Sequence, residues 1–400
     1  MTVLGIAGVV GSVCASVYYL ICIWSARVFV RDQKRSSFSR SAVAECLPGV
    51  SILKPLKGVD LNLYECLRSH CLQDYPEYEI IFGVSDADDP ALEVVERLHT
   101  AFAGTALKVF VCTQNLGTNT KVSNLAQMTP VAKFEHLVVN DGDIQVPPDY
   151  LRKIVSSLND SQVGLVTALY RGEAAPTMGS RLEALGIATD FAPGVLAARY
   201  LEDGIRFGLG STLAFRRSDL NAVGGFEGFV DHLADDYELG KRLAESGKRV
   251  VLSDCVVTTF LPTYSIRGFF QHQLRWARTI RDARKGGYLG LLFTFGIPWA
   301  LLAVIGYRGA SWTWSLLAVV VAARLAKSFA IASGVLKDTQ VVRWFWLLPI
   351  RDLAAAFIWA FSFAGHSITW RGQRYRLEEG RLMRIEDREA NAPAENVVSK

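Results

Sequence analysis

The chain of 400 residues lacks the features that mark several large classes of protein. Its formal net charge is only +4, which is too small for a protein whose main partner is nucleic acid. Its seven cysteines are an odd number without the paired spacing of a metal site, so we expect free thiols of a cytoplasmic protein. Internal repeats and low-complexity tracts are also missing. These absences exclude nucleic-acid-binding proteins, disulfide-stapled domains and repeat proteins.

Charge is missing from a long stretch at the start of the chain. Residues 2–26 contain no charged side chain, and about 20 apolar residues suffice to span a bilayer. Positive residues follow this stretch, from Arg27 onwards, whereas a cleaved signal peptide carries them in front. We therefore expect a retained transmembrane anchor at 1–27. The positive-inside rule then predicts that the rest of the chain is cytoplasmic.

The last third of the chain repeats this apolar pattern. Three further segments, at 288–307, 309–323 and 353–370, are expected to associate with the membrane. Four full spans would put the C-terminus outside, whereas the basic residues after position 370 favour the inside. We therefore expect one segment to be interfacial or re-entrant, and the stretch around Arg324 and Trp344 is the candidate. The number of full spans and the side of the C-terminus stay open.

Between the apolar ends, short β-branched runs alternate with longer amphipathic stretches. Buried strands are predicted at 49–54, 79–84, 107–111, 136–139, 163–167 and 249–252. Such alternation predicts an α/β domain with a mostly parallel sheet, which we place at 45–265. A polar tail after Ile385 is expected to be disordered.

Two acidic clusters follow predicted strands. Asp86, Asp88 and Asp89 come after the second run, and Asp141 and Asp143 come after the fourth. Ligands of open α/β sheets collect at the carboxyl ends of the strands, where crowded carboxylates destabilise each other unless a cation relieves them. Asp141 and Asp143 suit Mg²⁺ or Mn²⁺ carrying a diphosphate. The alternative for each cluster is ordinary turn chemistry.

Two further motifs add candidate site residues. Asp235 and Asp236 open an amphipathic helix, and Asp236 is suited to act as a general base towards a hydroxyl. Helix capping alone would also explain acidic residues in a first turn. The small-residue turn that contains Gly210 and Ser211 would let a backbone approach a ligand closely, with a plain loop as the alternative.

A basic and aromatic motif stands shortly before the second apolar segment. Arg275 and Arg278 lie on one helical face, where they are placed to neutralise a pyrophosphate, and Trp276 would pack at the membrane interface or beneath an acceptor. The alternative is a positively charged flank of a membrane span. We expect an interfacial helix at 266–286, membrane segments at 287–371 and a basic, then disordered, cytosolic tail at 372–400.

In this order, the motifs resemble those of inverting, membrane-embedded glycosyltransferases with the Rossmann-like GT-A fold. The resemblance is strongest to glycosyltransferase family 21, the ceramide glucosyltransferase family. It covers most of the chain, and the matching positions are 50–60, 74–79, 86–91, 121–125, Asp141, Asp236, Arg275, Trp276 and 368–377. The stretches 68–76 and 233–240 resemble the bacterial hopanoid-associated branch of that family.

The resemblance implies a role for each motif. Asp86 would bind the uridine of a UDP-sugar, and Asp141 and Asp143 would bind the ribose, the diphosphate and Mg²⁺ or Mn²⁺. Asp236 would be the catalytic base, and Arg275 with Trp276 would form the closing motif. Further substrate contacts are expected from Lys121, Asp235, His272, Gln273, Gly210 and Ser211. His272 departs from the Gln or Arg that the family has at this position.

The implied activity is transfer of a hexose or N-acetylhexosamine from a UDP-sugar to a hydroxyl of a membrane lipid, either a hopanoid polyol or ceramide. It would take place at the cytoplasmic side of a bacterial inner membrane. A processive polysaccharide synthase is an alternative, although such an enzyme needs more spans. A non-catalytic protein that binds nucleotide sugars is another. The sequence does not distinguish glucose from N-acetylglucosamine as donor sugar, nor ceramide from hopanoid as acceptor.

Overall fold

The computed structural model describes residues 2–40, 47–370 and 373–385. Its centre is an eight-stranded sheet in the order β3-β2-β1-β4-β7-β6-β8-β5. The strands are β1 (Val50–Pro55), β2 (Tyr78–Val84), β3 (Ala106–Val111), β4 (His136–Val139), β5 (Ile144–Gln145), β6 (Val163–Glu173), β7 (Leu213–Arg216) and β8 (Arg249–Phe260). Strands β1 to β4 pair in parallel, as do β6 and β8, while β7 and β5 run antiparallel to their neighbours. The predicted α/β domain with a mostly parallel sheet is confirmed.

Helices cover both faces of this sheet and continue into the C-terminal region. The helices up to the sheet's last strand are α1 (Val3–Arg40), α2 (Leu63–Cys71), α3 (Ala91–Ala101), α4 (Thr120–Met128), α5 (Tyr150–Ser156), α6 (Met178–Gly186), α7 (Ala192–Leu201), α8 (Arg217–Ala222) and α9 (Asp235–Glu245). Those after it are α10 (Ile266–Ala283), α11 (Lys285–Gly290), α12 (Gly296–Gly306), α13 (Ser311–Ile331), α14 (Gln340–Trp344) and α15 (Leu348–Ser362). The π-helical turns Ile187–Phe191 and Ala332–Leu336 continue α6 and α13.

Two of the described helical segments are long and apolar enough to cross a membrane, Val3–Arg35 and Ser311–Leu336. The bent pair Lys285–Thr294 and Gly296–Gly306, at 56°, adds a third if it forms one span. The N-terminal helix packs against α12 through glycines: a Cβ atom at position 8 would lie 2.4 Å from the backbone nitrogen of Ala303. Small residues allow such close approach between membrane helices.

The C-terminal region differs from the expectation in two places. The apolar segment expected at 353–370 is divided, because α15 ends at Ser362 and a strand begins at Ser367. Arg324, which suggested an interfacial stretch, lies inside span-length α13 with its charge neutralised by neighbouring carboxylates. The sequence pattern could not show these partners, which come from distant segments.

A buried ion-pair network joins the apolar helices to the sheet domain. Arg324 is 1% exposed, and its Nη2 atom lies 2.6 Å from Asp352 Oδ1 and 2.7 Å from Asp190 Oδ1. Asp352 belongs to α15, whereas Asp190 lies in the π-helical turn between α6 and α7. Lys327, also on α13, is 2% exposed and lies over the ring of Tyr19 on α1 at 4.8 Å. The network therefore connects the N-terminal helix, the C-terminal helices and the sheet domain.

A second, antiparallel sheet was not predicted. It consists of β9 (Ser367–Trp370), β10 (Gln373–Glu378) and β11 (Arg381–Arg384) in the order β11-β10-β9. The sheet rests on the loop before α9, where Leu382 N donates to Asp231 O at 2.8 Å and Leu233 N donates to Gly380 O at 3.2 Å. Part of the expected basic tail is therefore folded against the sheet domain. The disorder predicted after Ile385 falls outside the described residues.

Candidate active site

A cavity of about 490 Å³ opens at the carboxyl ends of β1, β2 and β4. This size suits a small-molecule ligand, and the position is the one where open α/β sheets bind ligands. Four of the predicted site residues line it: Lys121, Asp141, Asp143 and Arg275. The topology thus brings together residues that are far apart in the sequence.

The turn after β4 supplies two carboxylates to the cavity. Asp141 Oδ1 lies 2.9 Å from Lys121 Nζ, and Asp143 Oδ2 accepts a hydrogen bond from Thr259 Oγ1 at 2.6 Å. Burial, followed by the negative charge of Asp141, raises the pKa of the Asp143 carboxyl to about 6. The turn therefore carries repulsion between its two carboxylates, which a bound cation would relieve.

Lys121 links this turn to the start of α9. Its Nζ atom also lies 3.3 Å from Asp235 Oδ2. Burial alone would lower the pKa of Lys121, but the charges of Asp141 and Asp235 outweigh burial and raise it above its ordinary value. Asn119 caps α4 by accepting a hydrogen bond from Lys121 N at 3.1 Å, which fixes the backbone of the lysine. Lys121 is therefore a permanently charged and well-positioned cation.

Asp236 approaches the same centre from the first turn of α9. A Cβ atom at Gly210 would lie 3.3 Å from Asp236 Oδ2 and 3.7 Å from Asp141 Oδ2, so the glycine leaves space between two carboxylates. Burial, followed by the charge of Asp235, raises the pKa of Asp236 to about 6. Capping accounts for only one oxygen of Asp236, because Oδ1 accepts a hydrogen bond from Tyr237 N at 2.8 Å while Oδ2 faces Gly210. The carboxylate geometry suits a general base.

The two arginines of the basic motif on α10 make different contacts. Arg275 lines the cavity beside Tyr264, whereas Arg278 Nη1 donates to the carbonyl of Ser367 in β9. Arg278 does not line the cavity, so the contact of this arginine with a pyrophosphate stays a prediction. Trp276 is 36% exposed and packs edge-on against Phe191, with ring centroids 6.2 Å apart.

His272 and Gln273, one turn earlier on α10, meet a buried carboxylate that was not predicted. Glu183 of α6 is 5% exposed; its Oε1 atom lies 3.5 Å from His272 Nδ1, and its Oε2 atom accepts from Gln273 Nε2 at 2.8 Å. Gln273 Oε1 accepts a hydrogen bond from Arg351 Nη2 at 3.0 Å, so both ends of the amide are engaged. The His272 ring stacks on Tyr264 at 5.1 Å. Gln273 thus supports the motif, while His272 lies beside a cavity residue.

Asp86 and Ser211 are among the predicted site residues that do not line the cavity. Asp86 is exposed in the loop after β2 and accepts a hydrogen bond from Asp88 N at 3.0 Å, while its neighbour Ser85 does line the cavity. Ser211 is buried and donates to Ala168 O at 3.2 Å. The uridine contact of Asp86 stays a prediction.

Lys54 is a site residue for which the sequence predicted no role. It is fully buried on β1, and its Nζ atom donates to the backbone carbonyl of Asp141 at 2.8 Å. Burial lowers the pKa of Lys54 to about 8. The lysine therefore stabilises the backbone of the acidic turn. The available signal was a lysine inside an otherwise apolar predicted strand.

Comparison with known proteins identifies the family. The model of glycosyl transferase family 21 matches residues 7–383. The chain belongs to glycosyltransferase family 21. Ceramide glucosyltransferase 1 of Caenorhabditis elegans is 24% identical over 370 residues, which cover 88% of this chain and 77% of that protein. Ceramide glucosyltransferase 3 of the same organism is 26% identical over 278 residues, 69% of this chain and 59% of that protein.

A solved structure supports the fold of this family 21 chain. A mannosyltransferase from Pyrobaculum calidifontis, in complex with GDP-Man and Mn²⁺, superposes with a TM-score of 0.51 and 20% identity, covering 89% of this chain and 98% of that one. The predicted GT-A-type fold is confirmed, and so is the predicted family. The chain is therefore a glycosyltransferase with apolar helices at both ends.

Proposed function

We propose that this protein is an inverting glycosyltransferase that moves a hexose or N-acetylhexosamine from a UDP-sugar to a hydroxyl of a membrane lipid, a hopanoid polyol or ceramide. The observation that carries the proposal is the position of Asp236 across Gly210 from Asp141, beside a cavity lined by Asp143 and Arg275. The names of the relatives, ceramide glucosyltransferases, support a lipid acceptor. The span-length helices support its delivery from a bilayer.

Each charged group has a defined task in this mechanism. Asp236 accepts the proton of the acceptor hydroxyl while the hydroxyl oxygen attacks the anomeric carbon from the side opposite the leaving UDP. Arg275, on the cavity wall, stabilises the negative charge that develops on the departing diphosphate, and the charged Lys121 holds Asp141 and Asp235 in place. Asp86 would hold the uracil ring. Departure of UDP and inversion at the sugar carbon complete the transfer.

The residues present fit a divalent cation. Asp141 and Asp143 offer hard oxygen ligands from one turn, and burial together with the charge of Asp141 raises the pKa of Asp143, a cost that a cation would offset. The described residues include no group of three or more His, Cys, Asp and Glu side chains placed to hold a metal alone. We infer that Asp141 and Asp143 would hold Mg²⁺ or Mn²⁺ together with the diphosphate of the donor. Bound there, the cation would neutralise charge on the leaving group.

Chelation with EDTA should abolish transfer, and added Mn²⁺ or Mg²⁺ should restore it. Asp143→Asn should raise the Mn²⁺ concentration needed for half-maximal UDP binding by about ten-fold, because one charged ligand becomes neutral. Titration calorimetry of UDP at several Mn²⁺ concentrations measures this effect. The control is Asp149→Asn, a half-exposed carboxylate that pairs with Lys153 outside the site. Full activity in EDTA would show that no cation takes part.

The acceptor is tested by supplying labelled UDP-glucose or UDP-N-acetylglucosamine to membranes that contain the protein, with ceramide or a polyol hopanoid. We expect one organic-soluble labelled lipid, which mass spectrometry will identify. A polymer of heterogeneous length would favour the polysaccharide synthase instead. UDP binding without product under any acceptor would favour a non-catalytic binder. The comparison of the two donors and two acceptors also assigns the substrate.

We also propose that the sheet domain lies on the cytoplasmic side of a bacterial inner membrane. Positive side chains at Arg27, Arg31, Lys34 and Arg35 follow the apolar part of α1, and positive flanks face the cytoplasm. A UDP-sugar made in the cytoplasm would then reach the cavity directly.

A further inference from the structure

A tyrosine that the proposed chemistry does not use lies between the reaction centre and α10. Tyr170 on β6 is 8% exposed, and its hydroxyl makes no hydrogen bond within the described part of the chain. Buried tyrosine hydroxyls normally have a partner. The residue is not completely enclosed. An unpaired donor at this depth indicates a missing partner.

The proposed base and the acidic turn are among the charged groups that act on Tyr170. Burial raises the pKa of the phenol well above its ordinary value, and the carboxylates of Glu183, Asp236, Asp143 and Asp141 raise it further. Tyr170 therefore lies within electrostatic reach of the proposed base, the acidic turn and Glu183. A phenol in these surroundings keeps its proton and acts as a hydrogen-bond donor.

A continuous row of rings leads from this position to the exposed part of α10. Tyr170 contacts Phe191 with centroids 5.0 Å apart, and Phe191 meets Trp276 at 6.2 Å. Trp276 contacts His272 at 6.1 Å, and His272 stacks on the cavity residue Tyr264 at 5.1 Å. We call these five residues the ring wall. It borders the cavity at Tyr264 and reaches the surface at Trp276, which is 36% exposed.

His272 of the ring wall lies beside a polar cluster that joins the domain to the C-terminal helices. Glu183 contacts His272 and Gln273, and Gln273 is in turn held by Arg351 of α15. Aromatic side chains with a polar group suit a ligand that is apolar over most of its length and polar at one end.

Resting on the proposed function, we propose that Tyr170 and the ring wall form an acceptor subsite for a lipid that carries a second hydrogen-bonding oxygen beside its reacting hydroxyl. The Tyr170 hydroxyl donates to this second oxygen, which belongs to an amide or a neighbouring hydroxyl. The reacting hydroxyl then faces Asp236, and the apolar part of the lipid lies along the rings towards Trp276. Ceramide and a polyol hopanoid both have this chemistry, whereas a simple long-chain alcohol does not.

The test is Tyr170→Phe, which removes one oxygen and keeps the ring. Initial rates are measured at saturating UDP-sugar with three acceptors: a short-chain ceramide, a polyol hopanoid and a long-chain primary alcohol. We expect kcat/KM to fall by about ten-fold for the acceptor that the wild type glycosylates, ceramide or hopanoid. The kcat/KM for the alcohol should stay the same. The KM for the UDP-sugar should not change. The acceptor whose rate responds identifies the source of the second oxygen.

Tyr78→Phe is the matched control, because its hydroxyl donates to Cys71 O at 2.9 Å outside the site. It should leave all rates unchanged. The subsite is refuted if Tyr170→Phe lowers the rates for ceramide or hopanoid and for the alcohol equally, or changes none of them. A wild-type protein that glycosylates no lipid would overturn the proposed function itself, which is a separate result. Thermal unfolding of both variants confirms that they are folded.

Discussion

Asp236→Asn should lower the rate of sugar transfer by about 10³-fold while UDP-sugar binding stays intact. An amide has the shape of the carboxylate but cannot accept the proton of the acceptor hydroxyl. The side chain is held at the first turn of α9, where Oδ1 accepts a hydrogen bond from Tyr237 N at 2.8 Å and Oδ2 faces Gly210. The loss should therefore appear in kcat. Titration calorimetry with UDP should give the same affinity as for the wild type.

The pH dependence of the wild type provides an independent check of this role. Because burial and the charge of Asp235 raise the pKa of Asp236 to about 6, the base is protonated below that pH and ionised above it. We expect kcat/KM to rise with pH through this range and then to level off. Glu245→Gln, at the exposed last residue of α9, is the control and should keep the full rate. Undiminished turnover in Asp236→Asn would show that another group is the base.

Arg324→Met should destabilise the protein by about 3–5 kcal/mol, since it removes the cation from a buried ion-pair network. Asp352, which is 4% exposed, would keep a carboxylate without its bidentate partner, and Asp190 would lose its closest cation. The measurement is chemical unfolding of the detergent-solubilised protein, together with the amount recovered from membranes. Loss of the network should lower both values.

A double variant distinguishes the effect of an unpaired charge on stability from the effect of a changed side-chain shape. Arg324→Met with Asp352→Leu replaces both partners by apolar groups and should recover part of the lost stability, because no charge is then left alone on α15. Arg343→Met, at an exposed position on α14, should have almost no effect. If Arg324→Met were as stable as the wild type, the network would contribute nothing to the fold.

The sequence predicted the strands that are continuous β-branched runs and missed those whose pattern is short or interrupted. Strand β5 has only two residues, too few for periodicity to detect, and β7 (Leu213–Arg216) contains no β-branched residue. The predicted end of β6 at residue 167 coincides with a register shift between Thr167 and Leu169, which breaks the alternation. Tyr170 lies beyond this irregularity. Because the predicted strand ended at residue 167, Tyr170 was not recognised as a candidate site residue.

The site residues that could be predicted are those with a local signal. Asp141 and Asp143 directly follow a strand, and Asp236 is one of two adjacent aspartates at a helix start. Glu183 had no such signal, because it lies on a helix with ordinary composition and gains its role from contact with α10, 90 residues further along the chain. The contact of Arg278 with Ser367 was missed for a related reason, since Ser367 belongs to a sheet that the sequence pattern did not reveal.

The Asp190–Arg324 pair also determines the order in which the protein can finish folding during synthesis. Its partners are 134 residues apart, so the aspartate leaves the ribosome long before the arginine is made. Until α13 and α15 have been inserted, the nascent sheet domain carries an uncompensated carboxylate where the apolar helices will pack. A shortened version that ends before α13 would retain this defect permanently. The C-terminal helices thus complete the packing of the sheet domain only after they have been synthesised. We expect versions without them to aggregate.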